Sequence, residues 1–132
     1  MRSSDESWHA SVVAWLVSDA RVLASAEVAP DGASRRRGLL GRDDLDGAFV
    51  IPGCRWVHTI GMRFPIDVAY LDSKCVVVKV AHMARHRIGM PVSAATWVVE
   101  ATAGAFERWG LAVGDVVELR QQADEPSSGP PS

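Results

Sequence analysis

The residues that could carry chemistry are concentrated between Arg55 and Leu71, a segment that reads RWVHTIGMRFPIDVAYL. His58, Thr59 and Asp67 are polar residues within two runs that are otherwise apolar. A histidine can accept a proton near neutral pH, and a neighbouring carboxylate can hold its ring in a productive orientation. The sequence therefore presents His58 as a candidate general base and Asp67 as the carboxylate that would orient it.

Two short runs of the chain must position these residues. The first is Trp56–Ile60 and the second is Ile66–Leu71, with the turn-forming residues Gly61 and Pro65 between them. Side chains of an extended run alternate between two faces. The side chains that share one face of the first run are then Trp56, His58 and Ile60. Because buried polar groups need partners, we expect Asp67 to bond His58, Thr59 or the connector between the runs.

A second carboxylate lies in an apolar run further along the chain. Glu100 falls within the predicted strand Thr96–Ala101. A glutamate in such a strand either reaches solvent at a rim or is buried against a hydrogen-bond donor. The candidate catalytic residues are therefore His58, Asp67, Thr59 and Glu100.

Two classes of function remain open. The first is a small non-catalytic binding or accessory module with a polar pocket around His58 and Asp67, which would accept a small anionic ligand or a protein segment. The candidate ligand-binding residues are Trp56, His58, Thr59, Met62, Arg63, Asp67 and Arg85. The second is a small hydrolase or lyase in which His58 is the general base and Asp67 assists it. We favour the module, because the sequence contains no nucleophile elbow, phosphate-binding loop or cofactor fingerprint.

Composition narrows the choice of partners and location. The chain has 132 residues, is 48% hydrophobic and carries a net charge of −2, so no overall positive field would attract nucleic acid. The two cysteines do not have metal-ligand spacing, and we predict no cofactor and no metal site. The third alternative, which we disfavour, is a metal site formed by His58, His82, His86 and Asp67. Two of these histidines lie in the predicted loop and lack the fixed spacing of metal ligands.

No run is apolar for long enough to span a bilayer, and acidic residues near the N-terminus are atypical of a signal peptide. We therefore expect a soluble cytoplasmic protein with reduced cysteines. The sequence does not indicate its oligomeric state.

Turn formers divide the chain into short elements and predict a mainly β fold. Predicted strands are residues 12–17, 22–28, 48–51, 56–60, 66–71, 76–80, 96–101 and 116–119. Predicted helices are a short one that begins at Ser34 and a second one over Ala103–Trp109. Short strands without a βαβ rhythm indicate a small compact β-barrel or barrel-like sheet with two short helices. We expect one domain over residues 8–120, a flexible segment over 1–7 and a disordered tail over 121–132.

Two basic segments allow alternative interpretations. The three arginines from Arg35 to Arg37 could bind phosphate, but adjacent helical residues point in different directions, so we interpret them as a solvated turn. The predicted loop Ala81–Val92 contains two arginines and two histidines, and it is either a binding loop or merely solvated.

Several separated motifs occur in a fixed order along the chain. They are Arg37-Gly38-Leu39-Leu40-Gly41-Arg42, Val57–Met62, Pro65-Ile66-Asp67, Val99-Glu100-Ala101 with Gly104, and Gly110 followed by Gly114-Asp115. Together these motifs resemble the bacterial and archaeal family named domain of unknown function 192 (DUF192). The resemblance covers residues 34–119 and implies a compact, mainly β fold without an established activity. Many relatives have a Trp-Met-Lys-Asn-Thr segment where this chain has Val57-His58-Thr59, so only Thr59 matches that form.

Overall fold

The computed structural model describes residues 12–29 and 41–121. They form seven strands and one short helix: β1 (Val12–Ser18), β2 (Arg21–Val28), β3 (Ala48–Pro52), β4 (Ile66–Leu71), β5 (Val77–Met83), β6 (Trp97–Thr102), α1 (Ala105–Trp109) and β7 (Val117–Gln121). The flexible segment predicted for residues 1–7 and the helix predicted from Ser34 with its three arginines lie outside the described residues. The tail predicted for residues 121–132 begins one residue too early, since Gln121 ends β7, and residues 122–132 lie outside the described ranges.

The seven strands form one curled sheet in the order β5-β4-β6-β3-β2-β1-β7. Every pairing is antiparallel except that between β2 and β3. The curl brings the starts of the two outermost strands together: the amide of Val77 donates to the carbonyl of Asp115, and the amide of Val117 donates to that of Cys75, each at 2.9 Å. This closure protects strand edges. The predicted barrel-like β fold is confirmed, with one helix in the described part of the chain.

Apolar side chains cover both faces of this sheet. On one face, Leu16, Val50 and Val99 pack with Phe106 of α1. On the other face, Phe49, Ile51, Val68, Tyr70 and Val98 pack beneath residues 57–64 of the connector between β3 and β4. Strand β4 lies between the two cores, and all six of its residues are buried. Its sequence IDVAYL is nearly continuously apolar because neither face of β4 meets water.

Two predicted element boundaries are wrong. Trp56–Ile60 is not a full strand, since its regular pairing is limited to one antiparallel bridge between His58 and Ile88. The predicted loop from Ala81 begins too early, because β5 continues to Met83 in register with β4. His82 is therefore a strand residue opposite Asp67, which decides what Asp67 binds.

Candidate functional site

The carboxylate of Asp67 is buried where β4, β5 and α1 meet. Its Oδ1 lies 3.0 Å from Nδ1 of His82, while Oδ2 accepts the backbone amides of Gly104 at 3.0 Å and Phe106 at 3.2 Å. The first amides of a helix have no partner within the helix, and Asp67 supplies one. The expected bond to His58 or Thr59 is not formed, because Asp67 is directed toward β5 and α1. Its contacts make Asp67 an anchor for the start of α1.

His58 lies on the outer surface of the connector. Its Nδ1 accepts the amide of Ile60 at 3.3 Å, and its ring centroid lies 5.4 Å from that of Trp56. Trp56, His58 and Ile60 are all exposed, whereas the intervening Val57 and Thr59 are buried. The alternation of faces predicted for this run is present even though the run is not a complete strand.

Thr59 is fully buried and joins the connector to the segment after β5. Its hydroxyl donates to the carbonyl of Ala84 at 2.6 Å and accepts the amide of Arg87 at 2.8 Å. Its backbone amide donates to the carbonyl of Arg87 at 2.8 Å, and its carbonyl accepts the amide of His86 at 2.9 Å. These bonds use both the donor and an acceptor of the hydroxyl, so Thr59 holds two loops together beneath the surface.

The two loops that Thr59 joins carry many exposed side chains, which we together call the loop-pair surface. It consists of the outward side chains of residues 55–63 and 84–90: Arg55, Trp56, His58, Ile60, Arg63, Arg85, His86, Arg87, Ile88 and Met90. Backbone bonds run between the loops from Val92 to Arg55, from Gly89 to Val57 and from Thr59 to Arg87, at 2.8–3.0 Å.

Side-chain bonds hold the loop-pair surface in one arrangement. The indole Nε1 of Trp56 donates to the carbonyl of Gly89 at 2.8 Å, and Nδ1 of His86 accepts the amide of Gly61 at 3.2 Å. Gly89 permits the close approach of the loops, since a Cβ at that position would lie 3.0 Å from the carbonyl oxygen of Val57. The surface is therefore organised before any partner arrives.

The loop-pair surface is positively charged although the whole chain is slightly acidic. Residues 53–65 and 84–96 contain four arginines and two histidines but no aspartate or glutamate. Arg63 forms an exposed ion pair with Asp43 at 2.9 Å. Among the described residues, neither Arg55 nor Arg85 has an ion-pair partner. A local positive field with unpaired guanidinium groups attracts anions at this face.

Met62 takes a different position from the other predicted ligand-binding residues. It is 5% exposed and packs in the core beneath the connector with Val57 and Phe64. Its contacts stabilise the loops from below and give it no access to a ligand at the surface.

Glu100 is buried on β6 between Phe49 of β3 and Val68 of β4. Burial raises the pKa of its carboxyl from 4.5 to about 8, so the group is mostly protonated at neutral pH. Its carboxyl has no hydrogen-bond partner within the described ranges. Burial, followed by the charges of Cys54 and Glu100, raises the pKa of Tyr70 to about 12. Glu100 is therefore not at a rim, and residues 12–29 and 41–121 supply no donor for its carboxyl.

A groove of about 420 Å³ lies beside α1, and none of the predicted site residues lines it. Its walls include Ser25, Asp44, Asp46, Arg108 and Trp109. These residues come from β2, the loop before β3, and α1, and no local motif in the sequence links them.

Among the described residues, no cluster of three or more histidine, cysteine or acidic side chains could hold a metal ion. None of the helical segments described has the length and apolar character needed to cross a membrane.

The curled sheet and its covering loops define a small barrel-like β protein of an uncharacterised class. The family model DUF192, described as "Uncharacterized ACR", matches residues 14–119. The chain therefore belongs to the DUF192 family, and the match begins at residue 14, which adds β1 and β2 to the region 34–119 identified from the motifs. No protein with a curated description matches the chain.

Two solved structures have the same fold. One is a "putative transcription regulator" from Sinorhizobium meliloti 1021, with a TM-score of 0.70 and 21% identity over 83% of this chain and 94% of that chain. The other is a protein of unknown function from Novosphingobium aromaticivorans DSM 12444, with a TM-score of 0.68 and 19% identity over 82% of this chain and 84% of that chain. At these identities the likeness concerns the fold alone.

Proposed function

We propose that the protein is a small non-catalytic binding or accessory module and that its loop-pair surface binds an anionic partner. The observation that carries this proposal is the concentration of four arginines on two paired loops that contain no carboxylate. Four predicted ligand-binding residues lie on this surface: Trp56, His58, Arg63 and Arg85. We place the module in the bacterial cytoplasm, as the sequence predicts, and expect no nucleic-acid partner.

The hydrolase or lyase alternative receives less support from the contacts of its candidate residues. This alternative requires Asp67 to orient His58 as the general base. Asp67 instead bonds His82 and the start of α1. Glu100 is buried between Phe49 and Val68, and its carboxyl is not open to a substrate in solvent. Thr59 uses its hydroxyl to join the loops. These contacts favour structural roles for the three polar residues below the surface and a binding role for those upon it.

The expected strength of the electrostatic contribution is modest. An exposed ion pair is worth about 0.2–1 kcal/mol, so four arginines would supply about 1–4 kcal/mol if each met one anionic group. Salt shortens the range of such attraction, and binding should weaken as salt rises from about 0.05 M to 0.5 M. The existing pair between Arg63 and Asp43 would reduce the contribution of Arg63.

Binding of the protein to an immobilised polyanion and an immobilised polycation tests this proposal. The purified protein should bind immobilised poly-L-glutamate at low salt and should not bind poly-L-lysine. The double variant Arg55→Glu with Arg85→Glu should lose binding by about tenfold or more, since two attractive contacts become repulsive. The control variant Lys74→Glu with Arg120→Glu makes the same change in net charge at exposed positions elsewhere. Equal losses in the two double variants would show that only net charge matters and would refute a localised site.

A further inference from the structure

We propose that the anionic partner is a protein segment that presents acidic and apolar side chains on the same face. This inference rests on the proposed function and identifies the chemistry of its partner. Two properties of the loop-pair surface carry it: exposed apolar side chains are concentrated there, and arginine side chains are their direct neighbours.

The apolar side chains of the described residues are unevenly distributed over the surface. Eight large hydrophobic residues are exposed, and four of them belong to the loop-pair surface. These four are Trp56 at 44%, Ile60 at 48%, Ile88 at 64% and Met90 at 71%. Tryptophan, methionine and arginine are enriched at protein–protein interfaces, whereas lysine is depleted there. Both lysines of the chain lie outside the two loops.

Apolar and cationic residues are direct neighbours within this surface. Arg55 precedes Trp56 on the first loop, and Arg87 precedes Ile88 on the second. His58 and Ile88 face each other across the bridge between the loops. An inorganic anion could neutralise the arginines but would leave the apolar side chains in water. A partner that covers both kinds of group gains charge pairing and apolar burial in the same contact.

The backbone of the loop-pair surface is already ordered. Because Thr59 and Trp56 bond the two loops together, the backbone of the loops would lose little conformational freedom when a partner binds.

Single-stranded nucleic acid fits this surface less well than a protein segment does. Its bases bind by stacking on aromatic rings, and Trp56 is the sole tryptophan, tyrosine or phenylalanine among the outward residues of the two loops. Ile60, Ile88 and Met90 offer aliphatic surface, which matches leucine or valine side chains of a protein partner.

Fluorescence polarisation with labelled synthetic probes tests the inference. The probes are peptides of about 12 residues, long enough to span both loops when extended. The glutamate–leucine peptide repeats Glu-Ser-Leu-Ser, the glutamate–serine peptide repeats Glu-Ser-Ser-Ser, and the lysine–leucine peptide repeats Lys-Ser-Leu-Ser. In an extended peptide the charged and leucine side chains then share one face. Oligothymidine of the same length is the nucleic-acid probe. At about 0.15 M salt the glutamate–leucine peptide should bind about tenfold more tightly than the glutamate–serine peptide, and the lysine–leucine peptide should not bind.

Matched variants show whether the apolar side chains of the loops cause the tighter binding of the glutamate–leucine peptide. The double variant Ile88→Ser with Met90→Ser should lower the affinity for the glutamate–leucine peptide about tenfold. Its affinity for the glutamate–serine peptide should be unchanged. Neither side chain bonds another residue, so the fold should persist, which the thermal midpoint checks. The control is Val113→Ser with Val116→Ser, which removes two apolar side chains that are 61% and 57% exposed outside the loops. This control variant should bind both glutamate peptides with the affinity of the wild-type protein.

The possible failures separate this inference from the function on which it rests. Equal affinity for the two glutamate peptides, or tighter binding of oligothymidine, would overturn the inference while leaving an anion-binding surface in place. Equal effects of the loop and control serine variants would also overturn it. Failure of every anionic probe, poly-L-glutamate included, would refute the proposed function and the inference together.

Discussion

Replacement of Glu100 by glutamine should change how the stability of the protein depends on pH. Glu100 is 6% exposed between Phe49 and Val68, and burial raises the pKa of its carboxyl to about 8. In the unfolded chain the carboxyl is hydrated and ionises near its ordinary value of 4.5. Between these two values the folded protein holds a proton that the unfolded chain has released.

The sign of the effect follows from that difference in bound protons. Stability should fall as pH rises from about 4.5 to about 8, because unfolding releases a proton and high pH favours proton release. One proton corresponds to a slope of at most about 1.4 kcal/mol per pH unit, so the loss between pH 5 and pH 7 is roughly 2–3 kcal/mol. Above the folded pKa the loss reaches its limit and the slope disappears.

Urea unfolding of the wild-type protein and the Glu100→Gln variant at pH 5, 6, 7 and 8 measures this effect. All other ionisable groups are the same in the two proteins, so their contribution cancels in the difference between the two free energies of unfolding. That difference should shift by roughly 2–3 kcal/mol in favour of the variant between pH 5 and pH 7. The control Glu118→Gln changes a carboxylate whose side chain is 60% exposed, and its difference should stay flat. Parallel curves for the wild type and Glu100→Gln would refute a neutral buried carboxyl at this position.

Three further substitutions test the contacts that organise the fold. Asp67→Asn should lower the free energy of unfolding by about 1–3 kcal/mol in urea, since it weakens the anchor of α1, and its effect should add to that of His58→Ala because the two residues do not touch. Thr59→Val should cost about 1–3 kcal/mol and speed hydrogen exchange of the Arg87 amide, which the threonine hydroxyl accepts; unchanged exchange would contradict the joining role. Gly47→Ala should lower the thermal midpoint, with a cost of about 1–3 kcal/mol or more, because Gly47 has a φ of +90° and a Cβ there would lie 2.5 Å from a backbone oxygen of β2; an unchanged midpoint would show that the backbone adjusts freely.

Local sequence patterns were sufficient to predict most of the strands and the side chains that share a face. Alternation between neighbouring residues is a property of any extended backbone, so Trp56, His58 and Ile60 could be placed on one side without knowledge of their surroundings. The continuously apolar run of β4 likewise indicated a buried strand. Separated motifs in the correct order indicated the family, and the family model confirms it.

The partners of the polar residues depended on contacts between distant parts of the chain. Asp67 and His82 are opposite one another because β5 extends to Met83 in register with β4, and strand register is set by the packing of whole faces. The loop-pair surface exists because Thr59 meets Arg87, a residue 28 positions away. Glu100 is mostly protonated at neutral pH because both neighbouring strands and the connector exclude water from it. Alternation assigns a side chain to a face, but only tertiary packing determines what covers that face, and the cover sets the charge and the bonding of each polar group.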